Sequence, residues 1–462
     1  MREKLPFALL PFALIGSAHA QDKKADQKPN IIFLITDDQR WDAIGYANNL
    51  VHTPYIDSLA TNGVIFNNTF CTTPISAASR ASLLTGMYER THGYTFGTGD
   101  LKKELSSASY PYLLKSAGYY TGLVGKMGVG FEDKSFTETV FNIYKTYNSD
   151  HYFRLVNGEY GHRHITDIDG DNAVQFIESA PNNQPFFLCV GFNAAHAEDS
   201  SPQQYIWSEG SNHLYNNITI PPPVLGEPHW FDELPEFVQN GLNRKRWGWR
   251  FDTEEKYQRM VKGHYRMISD IDRQVGRIMR VLEEKGMADN TIIIFIGDNG
   301  YFLGERGLAG KWLLYENSIR VPFFIYNPTD KDFKRKKSDA LVLNIDVAPT
   351  ILALAGIKAP KIMQGQSVTD LMKNKNTKWR DMFFCEHLFD RSDIPQSEGI
   401  RTTDWKYFRY RNYPDYEELY YISDDPMEKN NLVKSKSHQS TLEKLRKQTD
   451  EMIEILIKQR IK

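Results

Sequence analysis

Short runs of apolar residues alternate with amphipathic stretches along most of the chain. Each run is continuous and rich in β-branched side chains, the pattern of a strand that is buried on both faces. The predicted strands are Asn30–Ile35, Tyr120–Val124, Phe186–Val190, Thr291–Ile296 and Phe323–Tyr326. Helical periodicity predicts helices at Ala173–Ser179 and Glu254–Lys285. This alternation predicts a mostly parallel sheet that is covered by helices on both faces.

The pattern changes near Ile357–Lys361, where the buried runs stop. Beyond that point, Glu398–Tyr410 and Glu418–Ile422 read as strands of an antiparallel sheet. A last helix carries one apolar stripe, formed by Leu442, Leu445, Met452 and Leu456. The predicted fold class is therefore α/β, with a large, mostly parallel sheet and a smaller C-terminal α+β subdomain that carries an antiparallel sheet. We expect the larger domain at residues 21–360 and the subdomain at 361–462.

The first 20 residues have the features of a signal peptide. Arg2 and Lys4 precede the apolar run Leu5–Ile15, and Ala18-His19-Ala20 gives a small-residue cleavage site. The run is too short to span a bilayer as a permanent helix. We therefore expect cleavage before Gln21 and export to a bacterial periplasm or medium, with no membrane insertion after cleavage.

Composition and charge exclude only a few classes of function. The 462 residues carry a formal net charge of −2, so no overall field attracts nucleic acid, and we expect no nucleic-acid partner. Three cysteines, Cys71, Cys189 and Cys385, do not make a disulfide framework, and the first two are expected as buried thiols. Aromatic residues make up 13%, which fits a carbohydrate-facing surface and a tightly packed core equally well.

Acidic residues follow two of the predicted strands directly. Asp37-Asp38 comes after the first strand, and Asp298-Asn299 follows Thr291–Ile296 and one glycine. Ligands of open α/β sheets bind beyond the carboxyl ends of the strands. Three carboxylates and one amide form an all-oxygen set that suits a hard divalent cation, Ca²⁺ before Mg²⁺. The alternative is that each pair only ends its strand in a turn.

Ser76 and Arg80 open a segment with the pattern of an anion site. If a helix begins at Ser76, its free N–H groups favour an anion there, and Arg80 lies one turn further along the same face. A hydroxyl, a fixed cation and a helix N-terminus suit attack on a sulfate or phosphate. The alternative is a capped helix with a surface arginine.

These segments together resemble the type I sulfatases of the alkaline-phosphatase superfamily, from about Pro29 to Leu432. That signature begins with Cys or Ser, has Pro or Ala at its third position and Arg at its fifth, and ends in Leu-Thr-Gly. Its match and the other anchors are Ile35–Gln39, Ser76–Gly86, Gly125-Lys126, His196, Gly297–Gly300, Gly304–Lys311, Arg320-Val321-Pro322, Glu418-Leu419-Tyr420, Asp425-Pro426 and Asn431-Leu432. The resemblance implies an alkaline-phosphatase-like catalytic domain at 21–360.

The resemblance also implies a chemistry for Ser76. In the family this residue is oxidised to formylglycine, whose hydrate attacks sulfur and then expels sulfate. Ser76-Ala77-Ala78-Ser79-Arg80 resembles the serine-type signature, which implies a radical-SAM maturase as partner. Cys71 does not fit the pattern, because Ile75 stands where the arginine is required.

Roles for the other site residues follow from the same resemblance. The implied Ca²⁺ ligands are Asp37, Asp38, Asp298, Asn299 and the modified Ser76. Arg80 would orient the modified group, Lys126 and Lys311 would hold sulfate oxygens, and His196 would contact the leaving oxygen.

Two positions depart from the family pattern. Gly128 stands where a histidine usually follows the Gly-Lys motif, and His92 and the His162–His164 pair are the candidate replacements, with surface loops as the alternative. Arg306 replaces a frequent histidine and would direct a cation toward the substrate.

The expected substrate is a sulfated carbohydrate, glycosaminoglycan-like or algal. Aromatic and basic residues of 227–250 could line its pocket or belong to a surface insertion, and the stretch from Glu386 to Glu398 could reach the cleft. The residues concerned are Trp230, Arg244, Lys245, Arg246, Trp247, Trp249 and Arg250. Two alternatives remain open: a phosphate or phosphonate ester hydrolase that uses unmodified Ser76, and a catalytically weak glycan-binding relative.

Overall fold

The computed structural model describes residues 28–147, 151–156, 159–333, 336–375 and 377–461. The predicted signal peptide, residues 1–20, lies outside these ranges. The strands are β1 (Asn30–Thr36), β2 (Val64–Phe66), β3 (Thr69–Phe70), β4 (Tyr120–Gly125), β5 (Ile143–Thr146), β6 (Phe153–Val156), β7 (Glu159–His164), β8 (Phe186–Gly191), β9 (Thr291–Gly297), β10 (Phe302–Leu303), β11 (Ala309–Gly310), β12 (Phe323–Tyr326), β13 (Lys337–Ser338), β14 (Val342–Leu343), β15 (Met382–His387), β16 (Ser397–Thr402), β17 (Trp405–Tyr410) and β18 (Tyr413–Tyr421).

Helices cover both faces of the main sheet, and a further helix follows the last strand. They are α1 (Pro54–Asn62), α2 (Ser76–Thr85), α3 (Glu89–His92), α4 (Lys103–Ser107), α5 (Tyr110–Ser116), α6 (Phe136–Val140), α7 (Ile165–Ser179), α8 (Pro228–Asp232), α9 (Glu236–Gln239), α10 (Leu242–Arg250), α11 (Glu254–Glu284), α12 (Glu316–Ile319), α13 (Val347–Leu354), α14 (Thr369–Met372) and α15 (Gln439–Lys458).

An eight-stranded sheet forms the centre of the fold, in the order β13-β2-β12-β9-β1-β8-β4-β5. β1 pairs in parallel with β8 and β9, and β4 pairs in parallel with β8 and β5. β12 runs antiparallel to both of its neighbours. All five predicted strands lie in this sheet, and the predicted α/β class with a mostly parallel sheet is confirmed.

Side chains of β1 alternate between two hydrophobic cores. Ile32 and Leu34 face the core that contains α7 and α11, whereas Ile31 and Phe33 face the core that contains α2, α5 and α13. All seven residues of β1 are buried, because helices cover both faces of the sheet.

The predicted helix α11 has almost the predicted bounds, but α7 is longer than its pattern indicates. α7 begins at Ile165, where the ring nitrogen Nδ1 of His164 accepts a hydrogen bond from Thr166 N at 3.3 Å. The first turns carry polar residues that hide the helical period, so the apolar pattern shows only the part after Ala173.

The C-terminal antiparallel sheet is also confirmed, in the order β15-β16-β17-β18. Helix α15 packs on it through Leu442, Leu445 and Leu456. The same core includes Cys71 and Cys385, and both of these thiols, like that of Cys189, are free and buried. Within the part of the chain that the structure describes, no helix combines the length and apolar character needed to cross a membrane.

Candidate active site

The pairing of β1 with β9 brings the acidic strand ends together. Thr36 lies opposite Gly297, so the residues that follow the two strands emerge side by side. The backbone N–H of Asp38 donates to Asp298 Oδ1 at 3.2 Å, and Asn299 Nδ2 donates to Asp38 Oδ1 at 2.7 Å. These side chains are fully buried or nearly so. The convergence predicted from the two sequence pairs is what the structure shows.

Ser76 is the first residue of α2, as its sequence context predicts. Ile75 is the N-cap, and every residue of α2 is buried. The Ser76 Oγ lies 3.0 Å from Asp37 Oδ1 and 3.3 Å from Asn299 Oδ1. Lys311 Nζ donates to the same hydroxyl at 3.3 Å. The hydroxyl therefore sits between the acidic strand ends and a cation.

Arg80 is buried behind Ser76, so the alternative interpretation of this segment, a capped helix with a surface arginine, is wrong. Its Nε donates to Asp298 Oδ2 at 2.8 Å, and Nη1 donates to the carbonyl of Lys126 at 2.8 Å. Nη2 lies 3.4 Å from Asp37 Oδ2 and 3.3 Å from the carbonyl of Phe192. Burial lowers the pKa of Arg80, but Asp298 and Asp37 outweigh it and raise the pKa. Arg80 is thus a charged group that ties four segments together.

Two lysines and one histidine complete the surroundings of Ser76. Lys126 Nζ donates to Asp37 Oδ2 at 2.6 Å, and Lys311 Nζ donates to Asp38 Oδ1. His196 Nε2 lies 3.8 Å from Asp38 Oδ2. Its Nδ1 lies 2.7 Å from the carbonyl of Ala197, an acceptor, so Nδ1 carries a proton and Nε2 is the nitrogen left for chemistry.

Burial and neighbouring charges shift the pKa values of these groups in opposite directions. Burial raises the pKa of Asp37, but Lys126, Lys311, His196 and Arg80 hold it well below its usual value. Burial, with the charge of Asp37, raises the pKa of Asp298 to about 6. Burial lowers the pKa of His196, which favours the neutral ring.

The acidic cluster fits a divalent cation. Asp37, Asp38 and His196 present ligand atoms that all lie within 4.8 Å of one another, and Asp298 and Asn299 add further oxygen atoms beside them. Asp38 Oδ2 is buried and has no hydrogen-bond partner among the described residues. An unpartnered buried carboxylate oxygen is costly unless a cation satisfies it. A set dominated by oxygen suits a hard cation such as Ca²⁺.

A cavity of about 580 Å³ opens above Ser76. Of the predicted site residues, Ser76, Lys126, His196 and Lys311 line it. The other predicted site residues do not line the cavity, but hydrogen bonds from this group hold Ser76, Lys126 and Lys311. They are Arg80, Asp37, Asp38, Asp298 and Asn299.

Several cavity residues were not singled out in the sequence. These are Ile75, Ala77, Phe96, Tyr147, Asn193, Leu242, Trp312, Phe389, Arg391 and Ile394. Phe389, Arg391 and Ile394 belong to the β15–β16 connection, so the expected approach of the stretch between Glu386 and Glu398 to the cleft is confirmed. Trp312 directly follows the signature lysine Lys311, which was the one signal that could have identified it.

The basic and aromatic segment 227–250 contributes Arg246 to this cavity, but not its tryptophans. Arg250 is fully buried and pairs with Asp199. Arg244 lies between Phe231 and Trp247, with its guanidinium 3.9 Å and 3.8 Å from the two rings. Of the two interpretations of this segment, lining the pocket applies to Arg246 but not to Trp230, Trp247 or Trp249, and Arg244 covers the ring of Trp247.

Gly128 lines the cavity in a backbone conformation that favours glycine, with a φ of +73°. His92 and His164 are not its replacements: His92 Nε2 lies 3.0 Å from Ser82 Oγ, and His164 Nε2 lies 3.0 Å from the carbonyl of Ile206. The side chain of His162 lies outside the described part of the structure. No imidazole other than that of His196 is among the described residues that line the cavity.

Arg306 does not direct a cation toward the substrate, which corrects the sequence prediction. It is 5% exposed, and its guanidinium donates to the carbonyls of Met427 and Glu428. Its guanidinium also lies 4.8 Å from the ring of Tyr315. Arg306 instead fastens its loop to the C-terminal part of the chain.

Comparisons with known proteins give independent evidence on the family of the chain. The sulfatase family model matches residues 29–357, and the model of the N-sulphoglucosamine sulphohydrolase C-terminal region matches residues 304–455. An N-acetylglucosamine-6-O-sulfatase of Bacteroides thetaiotaomicron is 28% identical over 92% of this chain and 86% of its own length. An arylsulfatase of Clostridium perfringens is also 28% identical, over 91% of this chain and 93% of its own.

One solved structure is similar along most of the chain. That protein was solved in complex with its substrate, D-glucosamine-2-N,6-O-disulfate. The two structures superpose with a TM-score of 0.78 at 25% identity, covering 93% of this chain and 98% of the other.

Proposed function

The chain belongs to the sulfatase family, and we propose that it hydrolyses a sulfate ester of a sulfated glycan in the cavity above Ser76. The observation that carries this proposal is the convergence of Lys126, His196 and Lys311 on the mouth of the Ser76 site. The similar N-acetylglucosamine-6-O-sulfatase and the relative solved with a sulfated sugar support a glycan as substrate.

We further propose that Asp37, Asp38, Asp298, Asn299 and the residue formed from Ser76 hold Ca²⁺, with Mg²⁺ as the less favoured ion. Bound there, the cation would supply positive charge that lowers the cost of bringing two anions together. The unpartnered Asp38 Oδ2 supports this assignment. Oxidation of Ser76 to formylglycine would supply a more capable nucleophile than a serine hydroxyl. This oxidation would require a radical-SAM maturase in the producing cell.

The lysines would bind the sulfate group. Lys126 and Lys311 are held by Asp37 and Asp38, so their ammonium groups are fixed in the cavity before substrate arrives. Fixed donors stabilise the charge that develops on the sulfate oxygens without reorganising during the reaction. Arg80 acts as a positioning residue, because two of its hydrogen bonds hold Asp298 and the backbone of Lys126.

His196 would contact the sugar oxygen that leaves when its bond to sulfur breaks. Its Nδ1–H is tied to the carbonyl of Ala197, which orients the ring and leaves Nε2 beside the cavity. Nε2 can exchange a proton with the oxygen that separates from sulfur. Because Gly128 provides no second imidazole, the proton transfers that the family shares between two histidines would fall on His196.

Two measurements test the proposal. Mass spectrometry of the peptide that contains Ser76, after production with a radical-SAM maturase, should show the loss of two hydrogen atoms. Ion chromatography should then show sulfate release from a panel of sulfated mono- and oligosaccharides. Release of phosphate from phosphate esters by unmodified protein would favour the phosphoester alternative. Binding without release, despite conversion of Ser76, would favour a glycan-binding role.

We also propose that the protein acts outside the cytoplasm of a bacterium. The signal-like sequence of residues 1–20 supports export to the periplasm or medium. The residues at 21–360 would then form the catalytic domain and those at 361–462 the subdomain that adds Phe389, Arg391 and Ile394 to the cavity. N-terminal sequencing of the protein recovered from a periplasmic fraction would test both the export and the cleavage before Gln21.

A further inference from the structure

The cavity is lined by four cationic side chains and, among its described residues, by neither Asp nor Glu. Lys126 and Lys311 account for two of the cations and lie beside Ser76. The other two, Arg246 and Arg391, come from α10 and from the β15–β16 connection. These two segments are joined, because Leu242 N donates to the carbonyl of Asp393 at 2.8 Å.

Arg246 has more positive charge around it than its ion pair neutralises. Asp199 is shared between Arg246 and Arg250, so one carboxylate serves two guanidinium groups. The Arg246 guanidinium lies 4.7 Å from the ring of Trp312, another cavity residue. Its Nε is buried and has no hydrogen-bond partner among the described residues. A buried donor without a partner costs free energy that a ligand oxygen would recover.

Arg391 shows the same excess of charge. Its Nε and Nη2 lie 2.6 Å and 3.4 Å from the two carboxylate oxygens of Asp393. Lys245 Nζ lies 3.5 Å from the same carboxylate, so again one anion serves two cations. The side chain of Arg391 is 48% exposed, which leaves it accessible to a ligand in the cavity.

We propose that Arg246 and Arg391 bind a second anionic group of the substrate, so that this chain prefers a doubly anionic saccharide over one that carries only the scissile sulfate. This inference rests on the proposed function, because it assumes that the scissile sulfate occupies Lys126 and Lys311. A guanidinium binds planar or tetrahedral oxyanions through paired hydrogen bonds. The second group is therefore a carboxylate of a uronic acid or a second sulfate.

Binding measurements with the Ser76→Ala protein test the proposal without turnover. The ligands are hexosamines with one sulfate at each position, the corresponding disulfates, and sulfated hexosamine–uronic acid disaccharides in intact and carboxyl-reduced forms. At physiological ionic strength, at least one doubly anionic ligand should bind roughly tenfold to a hundredfold more tightly than its singly anionic counterparts. A gain confined to the intact disaccharides identifies a carboxylate, and a gain confined to the disulfates identifies a second sulfate.

Matched variants decide whether the two arginines are responsible. In the same background, Arg391→Ala and Arg246→Gln should each remove most of the preference. Lys245→Ala should retain it, because Lys245 shares Asp393 with Arg391 but does not line the cavity. The proposal is overturned if no doubly anionic ligand gains affinity, or if Lys245→Ala removes the preference as fully as Arg391→Ala does. Sulfate release by the unsubstituted protein is scored separately, so a failed hydrolase assignment would not be mistaken for a failed binding assignment.

Discussion

A Cβ atom placed on Gly128 would lie 2.7 Å from Cδ of Arg80, closer than Cβ atoms approach their neighbours in proteins. The family's histidine at this position therefore cannot be restored by substitution alone, because Arg80 is fixed by Asp298 and by the carbonyls of Lys126 and Phe192. This contact leads to the first prediction.

Gly128→His should lower both stability and turnover. The φ of +73° costs a side chain about 1–2 kcal/mol, and the contact with Arg80 adds to that cost. Displacement of Arg80 would also weaken its hydrogen bond to Asp298, so the rate of sulfate release should fall. Urea unfolding and initial rates of sulfate release measure both effects. Gly356→His is the matched control, because its φ is +71° and nothing lies within 4 Å of the added Cβ. A rise in turnover for Gly128→His would contradict the prediction.

Lys126→Ala and Lys311→Ala should each lower kcat/KM for sulfate release by about two to three orders of magnitude, because each removes a fixed donor to the developing sulfate charge. Circular dichroism should show that both variants remain folded. Lys256→Ala is the control, since Lys256 pairs with Asp252 at 3.0 Å outside the cavity. Near-normal turnover in either cavity variant would mean that its ammonium does not contact the transferred group.

Calcium should raise the thermal midpoint of the protein. A ligand that binds only the folded state at a concentration of about a hundred times its Kd adds about 2.7 kcal/mol of stability. Differential scanning calorimetry in EGTA, CaCl₂ and MgCl₂ measures the shift, which should be larger for Ca²⁺. Asp38→Asn should abolish most of it, because the unpartnered Oδ2 is replaced by a neutral group. An Asp38→Asn protein that still responds fully to calcium would place the cation elsewhere.

Ionisation of Asp272 should destabilise the fold as pH rises from about 4 to 8. Burial raises the pKa of this carboxyl to about 7, although Ile56 N donates to its Oδ1 at 2.7 Å. In that pH range the folded chain keeps a proton that the unfolded chain releases, so a rising pH favours unfolding.

Asp272→Asn isolates this contribution, since the amide keeps an acceptor oxygen for Ile56 but cannot ionise. The difference in free energy of unfolding between the variant and the unsubstituted protein should shift in favour of the variant by up to about 4 kcal/mol between pH 4 and pH 8. Urea titrations across this range measure it. A difference that stays constant with pH would show that Asp272 titrates normally.

Local sequence pattern was sufficient for the parts of the site that depend on strand ends. The buried runs of β1 and β9 place Asp37 and Asp298 at one edge, since parallel strands in register must end together. The sequence suggested a helix start at Ser76 only conditionally, and the structure confirms it, because Ser76 is the first residue of α2. The site roles assigned through the family resemblance remain predictions.

The walls of the cavity were less predictable, because they depend on contacts between distant segments. Arg246 and Arg250 lie one helical turn apart, yet one lines the cavity and the other is fully buried against Asp199. Arg306 was predicted to point toward the substrate, but it donates hydrogen bonds to the carbonyls of residues 427 and 428, which are more than 100 positions away in the sequence. The periodicity of apolar residues indicates which face of a helix or strand is buried, but it does not identify the residues that pack against that face.

A small cluster of Ile75, Ala78, Leu242, Trp312 and Ile394 joins the residue before Ser76 to the β15–β16 connection. The two ends of this cluster differ in how much change they can accept. Every residue of α2 is buried, so an insertion there would displace the reacting groups, whereas the connection of residues 388–396 lies between two strands and includes the exposed side chain of Arg391. Lengthening or shortening the part of that connection before Asp393 would alter which sugar the protein accepts, whereas a change at Ile394 would also reach the residue before Ser76. New substrate preferences could thus evolve here through loop variation alone.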